Sequence, residues 1–372
     1  MVGGWRKAEQ TGQCNLVWVS FSFPGIHASI QAALRVPLAV PWPSKRDFLA
    51  GLQLLSVLQW IFSFLMLGMA SLILLIYLAF TSFWPISALY LAWLIYDWNT
   101  PENGGRSSTW VRNWSIWNYF RDYFPIQLVK THDLLPSHNY IIGIHPHGIL
   151  CVGAFGNLVT RATGFHEKFP GIKPFLATLA GNFRLPVFRE YLMSGGLFPV
   201  TRKAIEYLIS RNGTGNAVAI VVGGAAEALS CRPGVTTLIL SERKGFVRMA
   251  LRHGAHLVPA FSFGENDLFQ QVLFKEGSWM RRIQDRFRKI LGFSPCFFYG
   301  RGFSSARSWG LLPFPRPVTT VIGEPLVVPR MENPTCEMVD RYHAMYIDSL
   351  RKLFDDHKAT YGLSETAELQ IL

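Results

Sequence analysis

The chain has 372 residues, enough for one large domain or two modest ones. Hydrophobic residues make up 49% and mean hydropathy is +0.20, which is high for a purely soluble protein. A formal charge of +12 favours anionic partners such as an acidic membrane face or a phosphorylated co-substrate. Nucleic acid is excluded as a partner, because the basic residues are dispersed and no zinc-finger, RRM-like or basic-helix signature appears.

Residues 1–44 mix Trp, Phe and Pro with sparse charge and read as an irregular arm. Residues 45–99 read differently. No Lys, Arg, Asp or Glu lies between Asp47 and Asp97, and Leu54–Thr81 is long enough to span a bilayer, for which roughly 20 residues suffice. After the turn-like Ser82-Phe83-Trp84-Pro85, Ile86–Tyr96 is short for a second crossing, so a membrane-embedded helical hairpin or re-entrant wedge fits best. Lys45 and Arg46 precede it and Arg106, Arg112 and Arg121 follow, which places both termini in the cytosol. The five cysteines form no CxxC pair and read as reduced thiols in a cytosol-facing compartment.

From residue 100 to 372 strand-like and helix-like stretches alternate. Tyr140–Ile144, Ala217–Val222, Leu257–Phe263 and Val318–Ile322 have buried-strand character, while Arg243–His253 and Thr335–His357 have helical spacing. Such alternation predicts an α/β domain with a largely parallel sheet. At the end of the first strand comes His145-Pro146-His147-Gly148. A strand ending in imidazoles and a glycine can hold a base at the mouth of a pocket. A metal site would need further ligands, and the other histidines show no HExxH or H-x3-H spacing, so no metal is expected.

Two other stretches carry candidate chemistry. In Val221-Val222-Gly223-Gly224-Ala225-Ala226-Glu227 a strand runs into two glycines that allow close backbone approach, and Glu227 then falls near the strand ends. Arg184 and Arg189, within Gly181–Tyr191, sit among aromatics as a possible anion clamp, and Arg243-Lys244 at a helix start could add charge beside a phosphate. Either pair could equally form ordinary surface salt bridges. There is no GxSxG elbow, Walker loop or GxGxxG fingerprint.

Together with Tyr123-Phe124-Pro125, Arg189-Glu190-Tyr191 and Arg243–Pro259, these stretches resemble the type 2 diacylglycerol acyltransferase family, which also includes monoacylglycerol and wax-alcohol acyltransferases. The resemblance runs from about Lys45 to the C-terminus and implies a glycerolipid-acyltransferase-like α/β domain. That family is remotely similar to acyltransferases with an H-x4-D signature. Here the corresponding position is Leu150, so the histidine must be oriented by another group, and Glu227 is the family-consistent choice. A neutral-lipid-binding pattern of the family is matched by Phe64, Leu65 and Leu67, with Ser71 departing from its final apolar position.

The resemblance implies an acyl-CoA-dependent O-acyltransferase that makes triacylglycerol, with acyl-CoA as co-substrate and no cofactor. His147 is expected as general base, with His145 shaping the oxyanion environment and Glu227 orienting the ring; the H-x4-D register gives His145 as the alternative base. Pro146, Gly148, Gly223 and Gly224 support these motifs. The expected partners are acyl-CoA, diacylglycerol, the endoplasmic-reticulum bilayer and lipid-droplet surfaces, with a homo-oligomer possible. Rival acceptors are monoacylglycerol and a long-chain alcohol. Rivals of other classes are a catalytically silent lipid-droplet protein and a metallohydrolase built on His145 and His147.

Overall fold

The computed structural model describes residues 44–293, 295–302 and 309–372. Apart from Ser44, the arm expected over 1–44 lies outside the described residues. The main sheet is built from β1 (Ile126–Lys130), β2 (Tyr140–His145), β3 (Lys173–Thr178), β4 (Leu197–Pro199), β5 (Asn216–Val221), β6 (His256–Phe263) and β7 (Val318–Ile322). They lie in the order β1-β7-β6-β2-β5-β3-β4. Each neighbouring pair is parallel except β7 against β6. The sheet is therefore largely parallel, and the four strands expected from sequence are all in it.

The central strands read as unbroken apolar runs because both of their faces are covered. Ile142, Ile144, Ala217, Ala219, Val258 and Ala260 join one core, whereas Ile141, Val218, Ile220, Leu257 and Phe261 join the other. Successive residues thus alternate between two apolar layers, as the two-residue strand period requires. At full burial each Ile, Val, Leu or Phe side chain among them contributes roughly 1.5–3 kcal/mol, and each Ala less.

Six helices bear on the site or on the exposed apolar surface: α1 (Lys45–Ala79), α2 (Trp84–Tyr96), α3 (Gly224–Ala228), α4 (Gly245–His253), α5 (Trp279–Leu291) and α6 (Cys336–His357). Helix α6 starts where the Thr335 hydroxyl accepts the Met338 N–H (3.2 Å), an N-cap that satisfies an otherwise orphaned donor. Its buried face includes Val339, Tyr346, Leu350 and Leu353. Tyr346 lies directly over Gly143 of β2, where any Cβ would collide with its hydroxyl. That close approach explains the glycine in the middle of a buried strand.

Helix α1 passes through a π-helical stretch at Ser63–Leu67. Its Trp60 is buried, with ring centroids 5.2 Å from Phe120 and 5.3 Å from Phe155, and Val57 and Ile61 are buried beside it. Further along, Gly68 packs on Leu185 and Phe188, and Ser71 Oγ donates to the Pro186 carbonyl (2.5 Å). Leu49–Leu372 forms one compact unit. Within the segment expected as a hairpin over 45–99, the stretches around Val57–Ile61 and Gly68–Ser71 thus pack on the α/β unit.

Past Ser71 the character changes. The chain reverses at Phe80–Phe83, and Ser87 Oγ of α2 donates to the Leu75 carbonyl (2.8 Å). Ile73, Leu74, Ile76, Tyr77, Phe80, Phe83, Trp84, Leu89 and Ile95 are exposed. Among the described residues, α1 alone is long and apolar enough to cross a membrane; α2 is too short.

Candidate active site

Because β5, β2 and β6 are adjacent and parallel, their C-terminal ends share one edge of the sheet. His145-Pro146-His147-Gly148 follows β2, Gly223, Gly224 and Glu227 follow β5, and Gly264-Glu265 follows β6. Such edges are where open α/β sheets gather their chemistry.

His147 is part-exposed, and its Nδ1 lies 3.0 Å from the Gly148 carbonyl. A carbonyl only accepts, so Nδ1 carries the ring proton and Nε2 keeps a free lone pair. Burial lowers its pKa from the usual histidine value, the bond to Gly148 partly opposing this, so the ring is neutral near pH 7. Cys151 sits beside it, with Sγ 3.7 Å from Nδ1 and 3.8 Å from Nε2; its thiol is directed at the His147 carbonyl (3.2 Å), which leaves the Nε2 lone pair free. Burial, then the charges of Glu265 and Glu227, push that thiol pKa well up, so Cys151 packs as a neutral thiol rather than acting as a nucleophile.

His145 is fully buried, and the peptide bond to Pro146 is cis. Its Nε2 lies 3.0 Å from Tyr346 Oη, which donates to the Gly143 carbonyl at 3.2 Å. With the hydroxyl proton on that carbonyl, Nε2 is the donor to Tyr346. Burial lowers the His145 pKa to about 3. The ring expected to shape an oxyanion environment is instead held against Tyr346 beneath the loop.

Glu227 meets His147 through the backbone and not through the ring. Its Oε1 accepts the His147 N–H (2.6 Å) and its Oε2 accepts the Ile239 N–H (2.8 Å). The ring-orienting role expected for Glu227 falls to the Gly148 carbonyl, and the carboxylate fixes where the loop sits. Burial raises the Glu227 pKa; the bonds from Ile239 and His147 and the charge of Arg243 oppose it. Gly223 is required beside it, because a Cβ there would run into the Glu227 carboxylate.

A second carboxylate, which sequence reasoning missed, holds the other end of the same loop. Glu265 is buried and accepts the N–H groups of Val152 and Gly153, both at 2.7 Å. A Cβ on Gly148 (φ +61°) would come within 2.7 Å of the Glu265 side chain, so a glycine fits there. Burial pushes Glu265 up to about 7, against the pull of the Gly153 and Val152 N–H groups. The signal was present in Phe263-Gly264-Glu265, a carboxylate following a strand and a glycine, as Glu227 does.

The four basic candidates are not gathered. Arg189 is fully buried, with Nη2 3.0 Å from Asp97 Oδ2 and 2.8 Å from the Asp97 carbonyl. That commitment removes it from any anion clamp. Lys244 pairs with Asp340 at 2.9 Å. Arg184 is exposed, its guanidinium stacked 3.9 Å over Trp98, and Arg243 is exposed near Glu227. Of the lipid-binding candidates, Phe64 stacks with Trp60 and meets Phe188 edge-on, Leu67 is half-buried and Leu65 is exposed. Among the described residues no group of three or more His, Cys, Asp or Glu side chains gathers as a metal site.

The family model described as diacylglycerol acyltransferase matches residues 76–372. The chain belongs to that family. Diacylglycerol O-acyltransferase 2 of Xenopus tropicalis is 58% identical over 348 residues, covering 94% of this chain and 96% of the relative. Its counterpart in Danio rerio is 59% identical, covering 93% and 96%. The Homo sapiens protein is 57% identical, covering 93% and 89%. A Thermotoga maritima 1-acyl-sn-glycerophosphate acyltransferase aligns at 11% identity with a TM-score of 0.37, covering 86% of this chain and 99% of that one, a likeness too weak to carry weight. Within the family match lie the loop bearing His147, both carboxylates that hold it and the buried Arg189–Asp97 pair.

Proposed function

We propose that this chain transfers a fatty acyl group from acyl-CoA to the free hydroxyl of diacylglycerol, making triacylglycerol. The observation that carries this reading is His147: a part-exposed imidazole with Nδ1 tied and Nε2 free, in a chain more than half identical to proteins named for that reaction. Nε2 takes the acceptor hydroxyl proton as the oxygen attacks the thioester carbonyl. The C–O bond forms, the C–S bond breaks, and the proton passes to the departing thiolate. General-base assistance of this kind contributes roughly 10²–10⁴-fold. No acyl-enzyme is required, which fits the neutral, packed Cys151.

Glu227 and Glu265 serve by anchoring the loop at residues 147 and 152–153. Arg243 and Arg184, exposed and in no ion pair among the described residues, are the basic residues left to meet coenzyme A phosphates. The exposed apolar surface of α1 and α2 enters the endoplasmic-reticulum bilayer as a hairpin with both termini cytosolic, and can pass to lipid-droplet surfaces. A bilayer-resident acceptor would then be drawn from the same membrane. The test offers purified enzyme labelled oleoyl-CoA with diacylglycerol, monoacylglycerol and hexadecanol in parallel. Labelled triacylglycerol as the main product supports the proposal. Preferential labelling of diacylglycerol or of a wax ester would move the acceptor, and no product with any of them would sink it.

A further inference from the structure

Helix α5 is inside out. Ser278 caps its start by accepting the Arg281 N–H (3.3 Å), and Gly292 (φ +74°) closes its end. Of its described side chains the most buried is polar: Gln284, 2% exposed, donates to the Pro295 carbonyl (2.9 Å). Its large apolar residues face outward, with Trp279 and Ile290 each 70% exposed and Ile283 and Phe287 about 40%. At steps of four, four and three residues these form one stripe about 17 Å long on a helix rising ~1.5 Å per residue. The apolar surface continues through exposed Phe293, whose ring meets Phe287.

Charge completes the pattern. The helix carries five basic residues and one acidic one. Asp285 takes up Arg288 (3.1 Å) and Arg281 (3.7 Å) on the side away from the stripe. Arg282, Arg286 and Lys289 are exposed along the stripe's flank, and none is ion-paired among the described residues. An exposed Trp/Ile/Phe stripe edged by unpaired cations is how a helix lies in a bilayer interface, its ring and aliphatic groups among acyl chains and its cations at headgroup phosphates. A soluble surface rarely leaves such a patch bare.

We propose that α5 is a second membrane contact, separate from the α1/α2 hairpin, that lies flat on an anionic phospholipid surface. It would hold the α/β unit against the bilayer at a point some 200 residues along the chain from the hairpin. The proposal rests on the α5 side chains and is independent of which acyl acceptor the enzyme uses.

The test reconstitutes the full chain into bilayer discs of phosphatidylcholine, with or without 30% phosphatidylserine. Ile290→Cys carries an environment-sensitive fluorophore, in a Cys14→Ser/Cys336→Ser background; Cys336 is the exposed thiol among the described residues. Blue-shifted emission quenched by doxyl-labelled lipid, stronger with phosphatidylserine, is the expected result. Arg282→Gln/Arg286→Gln/Lys289→Gln should shift the docked-to-free ratio roughly 150-fold towards free, the equivalent of about 1 kcal/mol per basic side chain. A water-like emission in both lipids overturns the proposal. So does a blue shift that no lipid quencher reaches, which would mean that protein or a second copy covers the stripe. Equal quenching with and without phosphatidylserine would overturn the anionic preference. Alkaline-wash retention of the same variants reads the hairpin separately, so a failure of α5 is distinguishable from a failure to insert.

Discussion

Replacing Arg189 separates two roles that its sequence context leaves open. In the structure its Nη2 is shared between Asp97 Oδ2 and the Asp97 carbonyl, and Nη1 lies 3.4 Å from Glu190 Oε1. Removing one partner of a buried pair costs about 3–5 kcal/mol, because a charge stays buried without its counter-ion. Asp97 would keep Arg106, whose two guanidinium nitrogens lie at 2.5 and 2.8 Å, so the loss belongs at the lower end. Arg189→Met should therefore destabilise by about 3 kcal/mol, which for a unit of this size lowers the melting temperature by roughly 4–5 °C. Thermal unfolding in detergent micelles measures it, and KM for oleoyl-CoA in the surviving enzyme should stay put. An unchanged melting temperature with a tenfold rise in KM would refute the buried-pair account and return Arg189 to the coenzyme A site.

Glu265 contributes a pH dependence of definite sign. Its folded pKa, about 7, lies above the ordinary 4.5, so the folded state binds the proton more tightly and stability falls as pH rises from about 4.5 through 7. The span is worth about 3 kcal/mol at 1.36 kcal/mol per unit; Glu265→Gln should abolish that slope, and a melting curve series from pH 5 to 8 that keeps it would contradict the assignment. Gly143→Ala should cost several kcal/mol, since its Cβ must displace Tyr346 from a close-packed core; near-normal expression and melting of this variant would show that α6 sits farther from β2. If the apolar face of α1 and α2 is lipid-embedded, carbonate at high pH should leave the protein in the membrane pellet, with terminal tags open to protease from the cytosolic side. Release of folded protein would remove the hairpin from the bilayer.

The sheet was legible because its central strands are short, apolar and β-branched, and the helices between them carry capping residues and basic last turns. Strands such as Lys173–Thr178 and Leu197–Pro199 were not read, being short or interrupted by proline. For the site, the residues were legible and their contacts were not. Sequence marks His147 and Glu227 as neighbours at one sheet edge but cannot tell a carboxylate on a ring from one on a backbone N–H, a difference set by a few ångströms of loop path. Arg189 misled for a related reason: an arginine among aromatics reads the same whether it faces solvent or Asp97, 92 residues away. Glu265 went unread because one acidic residue after a glycine looks like a solvated turn. Only the pairing of β6 beside β2 brings it under the histidine loop.

The most direct measurement is the pH profile of kcat for His147→Ala beside the unaltered enzyme, with saturating oleoyl-CoA and diacylglycerol. If Nε2 is the base, the unaltered enzyme should lose activity as pH falls through a value below the usual histidine range, because burial lowers that pKa. The variant should have kcat reduced roughly 10²–10⁴-fold with both KM values little changed and that acid limb gone. A variant retaining kcat within a few-fold, with the limb intact, would contradict the account and take the proton from His147.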